Sequence, residues 1–96
     1  MTHTKYFIYI ITNKNQTTLY TGMTNNLLRR IMEHRNGEAG SFSQRYKLKK
    51  LVYFETYPNK FSAILREKQI KAGSRKKKLD LINSLNPGWK DLLEFL

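Results

Sequence analysis

The chain has 96 residues, with eighteen Lys and Arg against seven Asp and Glu, a formal charge of +11 and no cysteine. This excludes a disulfide framework and a thiolate metal site, and leaves room for one domain over residues 1–96 with one modest core. No apolar run approaches the roughly 18 residues of a membrane span and no signal-peptide pattern opens the chain, so the expectation is a soluble, cytoplasmic protein without a membrane partner, its charge seeking a polyanion, nucleic acid above all.

Met1 to Lys5 reads as a frayed end, and His3 within it is given no role. Tyr6 to Thr12 is an unbroken run of β-branched and aromatic residues, which predicts a strand covered on both faces and central in its sheet. Asn13-Lys14-Asn15-Gln16 supplies turn formers, Thr17 to Thr21 resumes strand composition, and one hairpin can then bring Tyr9 and Tyr20 together. Gly22 is expected where the backbone leaves the sheet. Thr24-Asn25-Asn26 offers N-cap oxygens for a helix running to Asn36-Gly37. At about 100° per residue, Leu27, Leu28, Ile31 and Met32 form the stripe expected to pack on the sheet. Arg30 and His34, one turn apart, fall at its edge, with Arg29 and Glu33 on the far side.

Glu38 to Lys50 reads as a long basic surface connection anchored by Phe42 and Tyr46. Leu51 to Tyr57 makes a third strand, and Pro58-Asn59 prepares a helix. In it Phe61, Ile64, Leu65 and Ala72 are expected in the core, with Ala63, Glu67 and Ile70 on a second, less apolar line. Ser74 caps a further helix through Leu85 with Leu79, Ile82 and Leu85 inward. Asn86-Pro87-Gly88 breaks it, and Trp89, Leu92, Leu93, Phe95 and Leu96 fold back as a short terminal helix. The pattern is that of a small α/β sandwich with a mixed or antiparallel sheet, its strand order open. Basic side chains cluster at Arg45, Lys47, Lys49 and Lys50 and again from Lys71 through Arg75, Lys76, Lys77 and Lys78, and these are the candidates for nucleic-acid contact.

Phe7-Ile8-Tyr9 followed by Tyr20-Thr21-Gly22 resembles the paired signature of the GIY-YIG nucleases, which include homing endonucleases, restriction enzymes and the incision subunit of nucleotide excision repair. Further matches follow in order: Arg30, His34 and a helix-borne Glu67 within Ala63-Ile64-Leu65-Arg66-Glu67-Lys68-Gln69-Ile70-Lys71, so that the likeness spans residues 6–79. It is strongest to the small single-domain bacterial branch, the UPF0213-like proteins. The resemblance implies a central three-stranded antiparallel sheet flanked by helices, and a metal-dependent endonuclease acting on DNA, branched or damaged DNA included.

Phosphodiester hydrolysis needs an activated water, charge stabilisation on the phosphoryl oxygens and help for the departing 3′ oxygen. One residue type is present for each task. The Arg30 guanidinium can grip phosphate bidentately. The Glu67 carboxylate can hold hydrated Mg²⁺, or Mn²⁺, which the resemblance places at the leaving oxygen. Tyr9 and Tyr20 can position or deprotonate the water once a phenol near pKa 10 is lowered, as Arg30 and the metal would do, and His34 is a second proton carrier. Ser43 and Tyr46 are candidates for DNA contact. Each has a plainer role: core tyrosines, a packed histidine, a surface Glu67–Lys71 pair. Phe7 and Thr21 depart from the family's letters at unreactive positions. Met23 stands where some members carry a lysine, which bears on catalysis and not on the fold. The alternatives are a nucleic-acid-binding module without turnover and a basic RNA- or ribosome-associated protein.

Overall fold

The β-branched and aromatic run forms β1, Tyr6–Thr12, and it is the middle strand of a three-stranded sheet. In the computed structural model, which describes residues 5–96, β2 is Leu19–Thr24 and β3 is Lys50–Tyr57, both antiparallel to β1. The reading of the extreme N-terminus, with His3, lies outside the described residues. Asn13 shapes the β1–β2 turn: its Oδ1 accepts from the amides of Thr17 at 2.8 Å and Thr18 at 3.1 Å, and Gln16 takes φ +60°. β2 runs further than expected. Gly22 does not leave the sheet but sits within the strand opposite Tyr9, and Thr24 pairs with Phe7.

The pairing of β3 contains a bulge. Ile10 faces Tyr53 and Ile11 faces Leu51, so Val52 is the extra residue. Its carbonyl accepts at 3.1 Å from Nδ2 of the buried Asn86, which also donates to the Lys90 carbonyl at 2.8 Å.

Helices cover both faces. On one, α1 (Leu27–Arg35) packs Leu27 and Ile31 against Tyr9, Ile11, Leu48 and Leu51. On the other, α3 (Lys60–Ala72) and α4 (Arg75–Leu85) bring Ala63, Ile70 and Ile82 against Ile8, Ile10, Val52 and Tyr53. Asn26, Asn59 and Ser74 cap the three helices through their side-chain oxygens, and Gly37 follows α1 with φ +76°. The residues read as a connection contain a short helix, α2 (Ser41–Tyr46), whose inward residue is Ser43 while Phe42 and Tyr46 are exposed.

The buried lines differ from those expected. In α1 the line is Leu27, Ile31 and His34, and Leu28 and Met32 are exposed. In α3 it is Ala63 and Ile70, with Glu67 between them, and Phe61, Leu65 and Ala72 lie outside. Both follow an i, i+4, i+7 rhythm, in which a small or polar residue can occupy a covered site when the sheet comes close. Leu85, Phe95 and Leu96 are likewise exposed, and the terminal element is a 3₁₀ turn, Leu92–Phe95, whose Leu92 and Leu93 reach the α1-side core. No helix among the described residues is long and apolar enough to cross a membrane.

Glu55 ties β3 to α3. Its carboxylate accepts from Arg66 Nε at 2.9 Å and Nη2 at 3.0 Å, from Tyr57 at 2.6 Å and from Tyr53. Burial works against that charge, but the Arg66 fork and the two phenols hold the carboxyl below the usual range. The neighbour of Arg66 in sequence is Glu67, so this network fixes the helix that carries it.

Candidate active site

Tyr9 and Gly22 are paired across β1 and β2, and the Tyr9 ring runs over the bare glycine. A Cβ there would lie 2.4 Å from both Cζ and the hydroxyl oxygen. This is a close approach that only glycine permits. Gly22→Ala should displace the ring and lower stability by about 1–3 kcal/mol, the usual cost of overpacking. Urea unfolding checks it, and a change under ~0.5 kcal/mol would mean that Tyr9 moves freely.

The Tyr9 hydroxyl is almost sealed, the residue being 1 % exposed. It lies 3.0 Å from His34 Nε2 and accepts from Arg30 Nε at 3.4 Å. His34, also 1 % exposed, has its Nδ1 2.6 Å from Ser43 Oγ. A phenol that already accepts from arginine gives its proton to Nε2, which leaves Nδ1–H to donate to Ser43. The result is one line of hydrogen bonds, Arg30 to Tyr9 to His34 to Ser43. Tyr20 packs beside it, its ring centroid 6.4 Å from that of Tyr9 and 5.7 Å from that of His34.

Arg30 is not free of acids, and Glu33 is not on the far side of α1: Nη1 donates to Glu33 Oε1 at 3.1 Å. Residues 30 and 33 are only about 60° apart around a helix, which explains the pair. Nη2 has no protein partner among the described residues and can turn to an anion. The hydrogen bond to Tyr9 raises the guanidinium's affinity for its proton, so the cation is permanent.

The electrostatics at Tyr9 run opposite to the expected lowering of the phenol. Burial pushes Tyr9 up to about 12, outweighing the downward pull of Arg30. Burial, followed by the Arg30 charge, pushes His34 down to about 4. His34 is therefore a neutral imidazole at pH 7. Because its folded value is lowered, the unfolded chain binds more protons between about pH 6.5 and 4, and stability falls as the pH drops through that window. NMR titration should give a His34 midpoint near 4; a midpoint near 6.5 would show an imidazole in contact with water.

Glu67 comes from the α3 side. Its negative charge is felt at the Tyr9 hydroxyl, while Oε2 pairs with Lys71 Nζ at 3.4 Å. With its side chain 21 % exposed, it keeps a face to solvent. Among the described residues no three His, Asp or Glu side chains converge, so a protein-built cage is absent. A single carboxylate fits a divalent ion that retains water and takes its other oxygens from phosphate. Met23 belongs to the opposite face of β2, packed with Ile8 and Ile10, and its position offers no cation to Tyr9.

Tyr9, Tyr20, Arg30 and His34 thus meet around one hydroxyl, whereas Glu67, the weakest of the influences on Tyr9, is paired with Lys71 and makes no hydrogen bond to them among the described residues. The basic candidates divide. Lys47, Lys49 and Lys50 line a groove with Lys14 and Arg35, and Arg45 sits 5.5 Å over the Tyr46 ring. Arg75 reaches the Gln16 carbonyl at 3.3 Å, which carries the start of α4 to the β1–β2 turn. Lys76 and Lys77 are exposed, but Lys78 Nζ donates to the Gly73 carbonyl at 2.6 Å and caps the end of α3. The role of Ser43 as partner of His34 was not foreseen, nor were Lys14 and Arg35. A buried histidine implies a partner for its second nitrogen, but no periodicity says where in the chain that partner lies.

Residues 5–80 match a family model described as the GIY-YIG catalytic domain. A UPF0213 protein of Clostridium perfringens is 45% identical over 78 residues, covering 81% of this chain and 83% of its own. One from Natronomonas pharaonis is 36% identical over 77 residues, 80% of this chain and 89% of its own. The solution NMR structure of a UPF0213 protein from Bacillus halodurans superposes with a TM-score of 0.55 at 32% identity, covering 88% of this chain and 87% of that one.

Proposed function

The chain belongs to the GIY-YIG family, and on that ground and the geometry of its site we propose that it is a metal-dependent endonuclease hydrolysing phosphodiester bonds in DNA. The observation that carries this reading is the sealed Tyr9 hydroxyl, held between the Arg30 guanidinium and the neutral His34 imidazole. A core tyrosine needs one hydrogen-bond partner; this one sits between a cation able to grip phosphate and a base able to take a proton.

Arg30 Nη2 binds a phosphoryl oxygen while Nε keeps Tyr9 oriented. For turnover the bound strand must open the sealed hydroxyl to one water, whose oxygen then attacks phosphorus as its proton passes to the Tyr9 oxygen and the phenolic proton moves to His34 Nε2. The bond from phosphorus to the 3′ oxygen breaks, that oxygen takes a proton from solvent, and His34 later returns its own. Free ionisation of Tyr9 is not required, which matters for a phenol pushed up to about 12. The bound phosphate also offsets the Arg30 charge that holds His34 down, so the substrate makes the imidazole a better acceptor. Ser43 keeps the imidazole in the tautomer that can accept. Glu67 would hold Mg²⁺ or Mn²⁺, whose chemistry when bound is to stabilise charge on the phosphoryl and leaving oxygens.

A second reading has one observation in its favour. Glu67 is paired with Lys71, and a scaffold that binds nucleic acid without cutting would keep that pair. Incubating the protein with duplex, flap, junction and single-stranded DNA, with Mg²⁺ or Mn²⁺ and with EDTA, separates the two. Cleavage is expected with metal and not with EDTA. No cleavage of any substrate, with binding retained, removes the hydrolase and leaves the binding module.

A further inference from the structure

A row of aromatic rings leads out of the site. Tyr20, beside Tyr9, has its centroid 6.0 Å from that of Phe42, and Phe42 stands 4.7 Å from Tyr46, one turn further along α2. The inward residue of this helix is Ser43, so Phe42 and Tyr46 are left 48 % and 38 % exposed, with the Arg45 guanidinium 5.5 Å over the Tyr46 ring. Tyr46 then borders an open groove of about 790 Å³. Lys14, Lys47, Lys49 and Lys50 line it, and Asp91, the one carboxylate in its wall, is paired with Arg35. The field in the groove is therefore set by lysines.

Exposed rings at the mouth of a cationic groove match one ligand chemistry. Each base of an unpaired strand has a free π-face to lay on an aromatic ring, while its phosphates follow the cations. In a duplex those faces are covered by neighbouring bases, and what remains to be bound is the phosphates and the base edges in the grooves. We propose that α2 and the adjoining groove are a docking track for unpaired nucleotides, so that the strand cut at Tyr9 carries a single-stranded segment next to the scissile phosphate. The proposal rests on the nuclease reading for the nature of the ligand and the place of the cut, and adds the class of substrate.

Binding without metal tests it separately from turnover. Fluorescence anisotropy in EDTA would compare labelled thymidine and uridine strands of about fifteen nucleotides with a duplex of equal length. The variant is Phe42→Leu with Tyr46→Leu, which keeps apolar volume against Tyr20 and removes the flat faces. Affinity for the unpaired strands should fall by about tenfold or more, with duplex affinity unchanged within about twofold. Loss on the DNA strand, the RNA strand or both sustains the track and says which sugar it accepts. Lys47→Ala with Lys49→Ala should weaken strand and duplex alike and flatten the salt dependence. No loss on either strand in the leucine variant, or an equal loss on the duplex, overturns the proposal. So does a change from dimer to monomer in sedimentation without a change in strand affinity, which assigns the rings to a second copy of the chain. Intact binding behaviour in a protein that cuts nothing keeps the track and removes the nuclease; cleavage with no effect of the leucines does the reverse.

Discussion

Glu67→Gln should lower metal-supported cleavage by about a thousandfold, the effect of losing several kcal/mol of charge stabilisation, while the protein folds as before. The substitution keeps volume and hydrogen-bonding capacity, and the side chain already faces solvent, so no buried charge is orphaned. It removes one negative charge beside a strongly basic surface, and DNA affinity in EDTA should therefore stay equal or tighten slightly. Lys71→Gln is the companion variant. It breaks the same 3.4 Å pair from the other side, leaves the carboxylate in place, and should preserve turnover or raise it at low metal concentration. Cleavage by Glu67→Gln within tenfold of the parent would show that the pair with Lys71 is the whole function of this glutamate.

Tyr9→Phe is expected to reduce turnover by about 10²–10⁴-fold, the range for loss of a positioned proton carrier. The same change leaves His34 Nε2 buried without its 3.0 Å partner, at a cost of about 1–3 kcal/mol in stability. Single-turnover rates should therefore be measured well below the melting temperature of the variant. The wild-type rate should fall on the acid side as His34 becomes protonated, at a pH above about 4 because phosphate at Arg30 eases that protonation. If Phe at position 9 keeps the rate within tenfold, the hydroxyl only fills the space over Gly22, and water must be activated elsewhere.

Much of this was legible before any coordinates. The run from Tyr6 to Thr12 has no competing periodicity, and it became the central strand. That Tyr9, Tyr20, Arg30 and His34 come together was legible because a hairpin followed by a capped helix leaves little freedom in where those side chains arrive. The helix faces were harder. Hydrophobicity favoured Leu28, Met32, Phe61 and Leu65, yet the covered positions include His34 and Ala63. A histidine is buried here because two hydrogen bonds satisfy it, and an alanine because the helix approaches the sheet closely; neither cause is visible in a hydropathy pattern. α2 was hidden for a related reason. It starts at Gly40 without a side-chain cap, and the residue it buries is a serine.

The bulge at Val52 has a consequence for how the chain reaches its fold. Antiparallel pairing of β3 with β1 could be satisfied without the extra residue, but a one-residue slip would turn Tyr53 and Glu55 to the opposite side of the sheet, away from Arg66. Local turn geometry does not choose between the two alignments, since β1 and β3 are separated by the whole of β2, α1 and α2. The choice is sealed from further away, by an amide 34 residues along the chain that meets the carbonyl set free by the bulge. Registry thus depends on residues beyond α4 and not on any turn next to β3. A chain interrupted before Asn86 would retain all three strands and every residue of the candidate site, yet lack the clamp that tells β3 where to stop.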